Sequence, residues 1–152
     1  MLSRRADGFC IVDDPTAVDV DLLHRWLDTD AYWWPRGLRR GVLERALASS
    51  MTLTVLSPRG AMVGFGRVVT DRATFAYWCD VYVEPDHRGQ GLGRWLTECF
   101  VAHPELTTCR RLLLGTRDAH GLYAASGFVP LAHSEVFMEI HRPLAGSSRT
   151  DE

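Results

Sequence analysis

The chain has 152 residues, which suits a single domain, and it is 46% hydrophobic and 24% charged, as in ordinary globular proteins. A formal net charge of −2 argues against nucleic-acid binding, and no apolar run resembles a signal peptide or reaches the roughly 20 residues of a membrane span. The four cysteines form no CxxC pair and have no zinc-finger spacing. We therefore expect reduced thiols, no metal, no membrane partner and a cytoplasmic location.

The two ends of the chain differ in composition from the middle. Residues 1–7 are polar, and residues 145–152 are typical of a solvated tail. We therefore expect the domain core to span about residues 9–141, with loose ends on both sides.

The first part of the core predicts one short strand and two helices. The strand covers residues 9–12, and a helix capped by Asp19 extends to about Asp28. Pro35 and Gly37 interrupt the following segment, which predicts a loop over residues 32–37. The apolar spacing then predicts a second helix over residues 38–49.

The hydrophobic period changes after residue 50. Three strands are predicted over residues 51–56, 61–70 and 74–83, and the short turns between them predict antiparallel pairing. A glycine-rich segment at 88–93 leads into a helix over residues 92–102.

The last predicted elements are a strand at 111–115, a short helix capped by Asp118 that ends at Gly127, and strands at 128–131 and 136–140. The order of elements indicates an α/β (α+β) domain. It has a mixed, mostly antiparallel central sheet with helices on both faces.

The glycine-rich segment after the third long strand predicts an anion site. Free N–H groups at a helix start carry partial positive charge, and Arg88 and Arg94 add full charges. No Lys-Ser or Lys-Thr occurs, which excludes a P-loop. A dinucleotide fingerprint would need glycine where Arg94 stands. Phosphate or pyrophosphate is therefore the expected ligand, bound without either motif.

Two motifs resemble those of the Gcn5-related N-acetyltransferase (GNAT) superfamily. Motif A of that family is similar to Arg88-x-x-Gly91-x-Gly93 here. The end of the family's fourth strand is similar to Val81-x-Val83-x-Pro85, which precedes it. The segment Thr116 to Phe128 resembles motif B, Asn-x-x-Ala-x-x-x-Tyr-x-x-x-Gly-Phe, with threonine in place of the asparagine. The resemblance covers most of the chain and implies a single GNAT-fold domain that uses acetyl-CoA.

The resemblance also implies which residues bind acetyl-CoA. The strand end should pair with pantetheine, and the backbone of the turn should bind the pyrophosphate. The motif B tyrosine, Tyr123, should protonate the leaving CoA thiolate or hydrogen-bond to it. The Thr116 hydroxyl replaces an amide that often contacts pantetheine in the family. The implied donor-binding set is Val81, Tyr82, Val83, Arg88, Gly89, Gln90, Gly91, Leu92, Gly93, Arg94 and Thr116.

An attacking amine must lose a proton, so a base is expected near the reacting atoms. Alternation along the strand predicts that Trp78, Asp80 and Tyr82 share one face, with Glu84 at its edge. Asp80 is the first candidate for the base and Glu84 the second, with His120 as a further candidate. An equally weighted alternative is that the carboxylate is structural and pairs with an arginine.

The acceptor amine is expected near the loop between the first two helices, as in the family. Tyr32, Trp33 and Trp34 cannot all face one core, so at least one should be exposed or line a pocket. An aromatic wall for an apolar or cationic amine and a lid packed on the sheet both fit this pattern. Arg67 and Arg117 are candidates for binding an acceptor carboxylate, although surface arginines are commoner.

The resemblance implies transfer of an acetyl group from acetyl-CoA to a primary amine by direct attack through a tetrahedral intermediate. The expected acceptor is a small molecule or a peptide. Acetylation of protein lysines or N-termini is an alternative, as is a non-catalytic CoA-binding module. We expect a monomer or a homodimer.

Overall fold

The computed structural model describes residues 1–142, and within them six strands form one sheet in chain order. Neighbouring strands are antiparallel except the last two, which are parallel. This arrangement confirms the predicted mixed, mostly antiparallel sheet. The strands are β1 (Ser3–Arg4), β2 (Cys10–Val12), β3 (Met51–Leu56), β4 (Met62–Thr70), β5 (Phe75–Val83) and β6 (Arg111–Leu114).

Helices cover both faces of the sheet, as predicted. On one face, α1 (Val20–Thr29) and α2 (Arg40–Ala48) enclose a core with Phe65 and Tyr82 of the sheet. On the other face, α3 (Leu92–Val101) and α4 (His120–Ala124) pack on a second core. The predicted cap of α1 is confirmed, because the Asp19 side chain accepts the Leu22 N–H at 2.9 Å.

The expectation of a loose N-terminus at residues 1–7 is wrong. β1 forms a hairpin with β2, closed by a turn at Gly8, which has a φ of 92°. The Arg5 guanidinium lies 5.6 Å from the Trp95 ring centroid and donates to the Gln90 carbonyl at 2.8 Å. A strand of two polar residues has no apolar alternation, so the sequence pattern could not reveal it.

The two predicted C-terminal strands, residues 128–131 and 136–140, are also wrong within the described residues. Neither segment joins the sheet, and the short 3-10 turn Ser134–Val136 includes the first residue of the second segment. A strand needs a neighbouring strand to satisfy its backbone, and side-chain pattern alone does not supply one. The expected tail at residues 145–152 lies outside the described residues.

Phe100 fixes α3 on the sheet and provides a stability prediction. Its side chain is fully buried, its ring lies 5.7 Å from that of Trp78, and a Cβ added at Gly66 would come within 2.5 Å of it. We expect Phe100→Ala to lower the free energy of unfolding by about 3–5 kcal/mol, measured by urea titration. Phe75→Ala, at a side chain that is 38% exposed, should cost about 1 kcal/mol or less. Similar losses for the two variants would contradict this packing.

Candidate active site

The turn between β5 and α3 has an open backbone surface. Gly89 and Gly91 have φ values of 75° and 76°, a conformation that L side chains rarely adopt, and Gly91 precedes the first residue of α3. A Cβ at either glycine would meet no atom of another part of the protein within 4 Å, so the space beside both glycines is open. The turn and the start of α3 therefore fit a bound pyrophosphate.

The two arginines of the turn are both engaged by carboxylates. Arg88 donates to the Val83 carbonyl at 2.8 Å and pairs with Asp30 at 2.6 Å, on the side of α1. Arg94 pairs with Glu98, one turn further along α3, at 2.7 Å. Backbone N–H groups at the start of α3 are therefore the main donors left for an anion.

A β-bulge in β5 changes which side chains face the cleft. Arg67 is opposite Asp80 and Val68 is opposite Trp78, so Cys79 has no partner in β4. The Trp78 ring packs against Phe100 and Phe128 on the α3 side. The prediction that Trp78 shares a face with Asp80 and Tyr82 is therefore wrong, because the extra residue reverses the alternation. Trp78 still lines the floor of the cleft.

The strand end Val81 to Val83 has a free edge. β6 pairs with β5 only as far as Trp78 and Leu114. The Glu84 N–H donates to the Val63 carbonyl of β4 at 2.9 Å, so alternation directs the backbone groups of Val81 and Val83 away from β4. The Val83 carbonyl on that side accepts from Arg88, which leaves the Val83 N–H and the backbone groups of Val81 for a ligand. An extended ligand can pair with the strand there, as the family resemblance implies for pantetheine.

Tyr123 lies at the meeting point of two cavities, next to this free edge. Its ring packs edge-on against Phe128 at 5.9 Å. Burial, with smaller effects from Tyr32 and Asp118, raises the pKa of Tyr123 to about 12. The hydroxyl therefore keeps its proton and can donate it. Nearby, the Thr116 hydroxyl accepts the Ala119 N–H at 3.1 Å, at the entry to α4.

Asp80 lines the same cleft as Tyr123. Only 2% of it is exposed. One carboxylate oxygen accepts the Trp33 indole N–H at 2.9 Å, and the other accepts from Arg67 at 2.5 Å. Arg67 also donates to the Ser50 hydroxyl at 3.2 Å. The structure therefore brings Trp33, Arg67 and Asp80 together, with Asp80 holding the other two in position.

The loop over residues 32–37 exposes two of its three aromatic rings to solvent. Tyr32 is 40% and Trp33 38% exposed, whereas Trp34 is 7% exposed and belongs to the core beneath α1 and α2. The Tyr32 hydroxyl accepts the Arg117 N–H at 3.1 Å, and the Arg117 guanidinium lies 3.8 Å from the Tyr32 ring centroid. The loop thus spans the cleft, which has a volume of about 570 Å³.

Several predicted residues lie elsewhere. Glu84 pairs with His87 at 3.0 Å and does not line the cleft, and His120 lines the second cavity, along β6. The Tyr82 hydroxyl donates to Asp30 at 2.8 Å and its ring stacks on Trp26, so its side chain faces α1. Hydrogen bonds from Arg88 and then Tyr82 lower the pKa of Asp30.

Asp30, which sequence reasoning missed, links α1 to the turn. It is 52 residues from Tyr82 and 58 from Arg88, and no local pattern identifies such a partner. Within residues 1–142 no cluster of histidine, cysteine and acidic side chains is arranged to hold a metal ion. No helix in that range is both long and apolar enough to cross a bilayer.

Comparisons with known proteins show which family the chain belongs to. Residues 49–130 match the model of the acetyltransferase (GNAT) domain. A candidate acetyltransferase of Gibberella zeae is 32% identical in an alignment of 136 positions, and the matched part covers 76% of this chain and 75% of the relative.

Solved structures show the same fold. A candidate GNAT-family acetyltransferase from Xanthomonas campestris pv. campestris has a TM-score of 0.86 and 38% identity, covering 91% of this chain and 97% of that one. A GNAT-family acetyltransferase from Streptococcus pneumoniae TIGR4 has a TM-score of 0.66 at 23% identity, covering 90% and 97%. With both motifs, the fold and these relatives in agreement, the chain belongs to the GNAT acetyltransferase family.

Proposed function

We propose that the protein transfers the acetyl group of acetyl-CoA to a primary amine of a small molecule or peptide. Three separate features of the described residues carry this proposal. They are the uncovered glycine turn, the free edge of β5 at Val81 and Val83, and the protonated hydroxyl of Tyr123. Val81 and Tyr123 both line the cleft, and the glycine turn follows the end of β5 in the chain.

In the proposed reaction the amine nitrogen attacks the thioester carbonyl carbon, and the carbon–sulfur bond then breaks. Tyr123 gives its proton to the departing sulfur, which leaves as the CoA thiol, and the tyrosinate then takes a proton back from water. The amine loses its extra proton to a base or to water. A proton donor at sulfur lowers the barrier because negative charge develops there.

Asp80 and Glu84 remain the candidates for the base. Each Asp80 carboxylate oxygen already accepts one hydrogen bond, and a carboxylate has about four acceptor positions in all. A water molecule beside Asp80 can therefore relay the proton from the amine. Glu84 is adjacent to the turn but separate from the cleft, so it needs a longer relay.

A small acceptor is favoured by the loop over residues 32–37. The Tyr32 hydroxyl accepts a hydrogen bond from the Arg117 backbone N–H, and this contact closes one side of the cleft. A protein acceptor would need an open groove at that side. Exposed faces of Tyr32 and Trp33 provide an apolar wall that also attracts cations. A cytoplasmic location, where acetyl-CoA and reduced thiols occur together, is part of this proposal.

The proposal is tested by calorimetric titration of the purified protein with acetyl-CoA and with CoA. A thiol-release assay against a panel of small amines and lysine or N-terminal peptides follows. Micromolar binding with thiol release on small amines supports the proposal. Release on peptides of protein origin alone would favour protein acetylation. Binding without release on any amine would favour a non-catalytic CoA-binding module, and no binding by a folded sample would refute the donor assignment.

The pH dependence follows from the raised pKa of Tyr123, about 12. The hydroxyl keeps its proton throughout the range in which an amine acceptor deprotonates, near pH 8 to 10. We therefore expect kcat/KM to rise with pH as the free amine forms, without a tyrosine-dependent decline below about pH 10. A descending limb centred near pH 9 that disappears in Tyr123→Phe would contradict this expectation.

A further inference from the structure

Among the described residues, four charged side chains line the cleft of about 570 Å³, and two of them neutralise each other. Asp80 is almost fully buried and accepts from the Arg67 guanidinium at 2.5 Å. The Arg67 side chain is only 12% exposed and also donates to the Ser50 hydroxyl. Arg67 is therefore engaged within the protein and is a poor partner for an anionic group of the acceptor.

Arg117 also lines the cleft, but its charge is not neutralised by the protein. No carboxylate of residues 1–142 lies within 4 Å of its guanidinium. The residue is exposed to solvent, and a guanidinium has five N–H donors and no acceptor. Within the part of the chain that the structure describes, Arg117 is therefore the unpaired cation of the cleft.

Tyr32 holds the Arg117 side chain in place. The guanidinium carbon lies 3.8 Å from the Tyr32 ring centroid, and the Tyr32 hydroxyl accepts the Arg117 backbone N–H at 3.1 Å. This short distance fits a guanidinium stacked on the ring, whose N–H groups point along its own plane and stay available. A planar fork that is fixed in this way matches a carboxylate, which can accept two parallel N–H bonds from it.

The Arg117 fork lies close to the groups that carry the proposed reaction. Tyr32, on which it stacks, is near enough to Tyr123 to contribute to the raised pKa of that hydroxyl. The Tyr32 ring also meets the Trp33 ring edge-on at 5.1 Å, and Trp33 donates to Asp80. One aromatic ring therefore separates the fork from the neighbourhood of both reacting groups, a gap that a small molecule can span.

Asp118 places a negative charge in the same cleft. No arginine or histidine of residues 1–142 lies within 4 Å of its carboxylate. An amine with an ordinary pKa arrives as an ammonium ion at neutral pH, and Asp118 attracts that ion before the proton is lost. Arg117 and Asp118 thus present one unpaired charge of each sign to the acceptor.

We propose, resting on the transfer reaction proposed above, that the acceptor is an amino acid, a small molecule with both a primary amine and a carboxylate. The Arg117 guanidinium binds the carboxylate, and the amine points towards the thioester beside Tyr123. The exposed Trp33 ring is available to an apolar side chain of the acceptor. A simple amine without a carboxylate would leave the Arg117 fork unused.

The thiol-release assay tests this proposal with phenylalanine and phenethylamine, which differ only in the carboxylate. Because the two amines differ in pKa, kcat/KM is expressed per free amine. It should be about 10- to 100-fold higher for phenylalanine. Arg117→Gln should bring the ratio close to one. Arg59→Gln, at an exposed arginine between β3 and β4 and outside the cleft, should retain the wild-type ratio. Equal values for the two amines, or a ratio that Arg117→Gln does not change, would overturn the proposal.

Binding of the acetylated products separates the carboxylate site from the transfer reaction. N-acetylphenylalanine and N-acetylphenethylamine are titrated by calorimetry into the protein saturated with CoA. The acid should bind about 10-fold more tightly or better, and Arg117→Gln should remove the difference. This preference without thiol release from any amine would support the carboxylate site and refute the transfer reaction. Thiol release without this preference would support the transfer and refute the carboxylate site. A large loss of acetyl-CoA affinity in Arg117→Gln would assign the guanidinium to the donor and also overturn the proposal.

Discussion

Tyr123→Phe should lower kcat by about 100-fold or more, while the dissociation constant of acetyl-CoA changes little. In the proposed mechanism the hydroxyl interacts most strongly with the thioester sulfur as charge develops there. Loss of the hydroxyl should therefore destabilise the transition state more than the complex with bound acetyl-CoA. The Tyr123 ring, which packs on Phe128, is retained in the variant. Stopped-flow or steady-state thiol release measures kcat, and calorimetry measures the affinity.

Tyr77→Phe is the control for this experiment, because it removes the same group from a second tyrosine that lines the cleft, on β5, and has no proposed role in the reaction. Its kcat should stay within a few-fold of the wild type. An equal loss in both variants would indicate a general effect on the sheet. Unchanged turnover in Tyr123→Phe, measured where the chemical step limits the rate, would remove Tyr123 from the mechanism.

Gly91→Glu should abolish measurable binding of acetyl-CoA. No protein atom lies within 4 Å of the position where its Cβ would stand, so the new side chain enters the surface assigned to the pyrophosphate. A carboxylate there repels an anionic ligand and blocks the N–H groups at the start of α3. A left-handed backbone conformation adds about 1–2 kcal/mol of strain, which alone does not destroy a folded domain.

Gly60→Glu is the matched control for that strain. Gly60 has a φ of 82° and equally open surroundings, in the turn between β3 and β4. Both variants should lose similar stability in thermal unfolding, but only Gly91→Glu should lose binding in calorimetry. If Gly91→Glu binds as well as Gly60→Glu does, the pyrophosphate assignment is wrong.

Sequence reasoning predicted well where side-chain pattern decides structure. The long strands, α1, α3 and the glycine turn follow from alternation, helical spacing, caps and glycine positions, all of which are local signals. The bulge at Cys79 was not predictable in this way, because an extra residue in one strand becomes visible only against its partner. The prediction that Trp78 shares a face with Asp80 and Tyr82 failed for that reason.

The rest of the site depended on contacts between distant residues. Asp30 reaches Tyr82 and Arg88 from the end of α1, and Trp33 reaches Asp80 across 47 positions. The C-terminal strands were predicted from an apolar pattern that is present in the chain but has no partner within residues 1–142. The apolar side-chain pattern identifies residues that favour a strand. Whether they pair depends on which strand edge of the sheet is available to them.

The hydrogen bond from Arg5 to the Gln90 carbonyl links the N-terminal hairpin to the glycine turn and restrains the turn. If ordering of the hairpin strengthens binding of a ligand at the turn, that ligand must stabilise the ordered hairpin by the same coupling free energy. Fraying of the first few residues therefore competes with donor binding. An affinity tag placed before Met1 would change the equilibrium between the paired and the frayed hairpin, even though the tag lies outside the cleft.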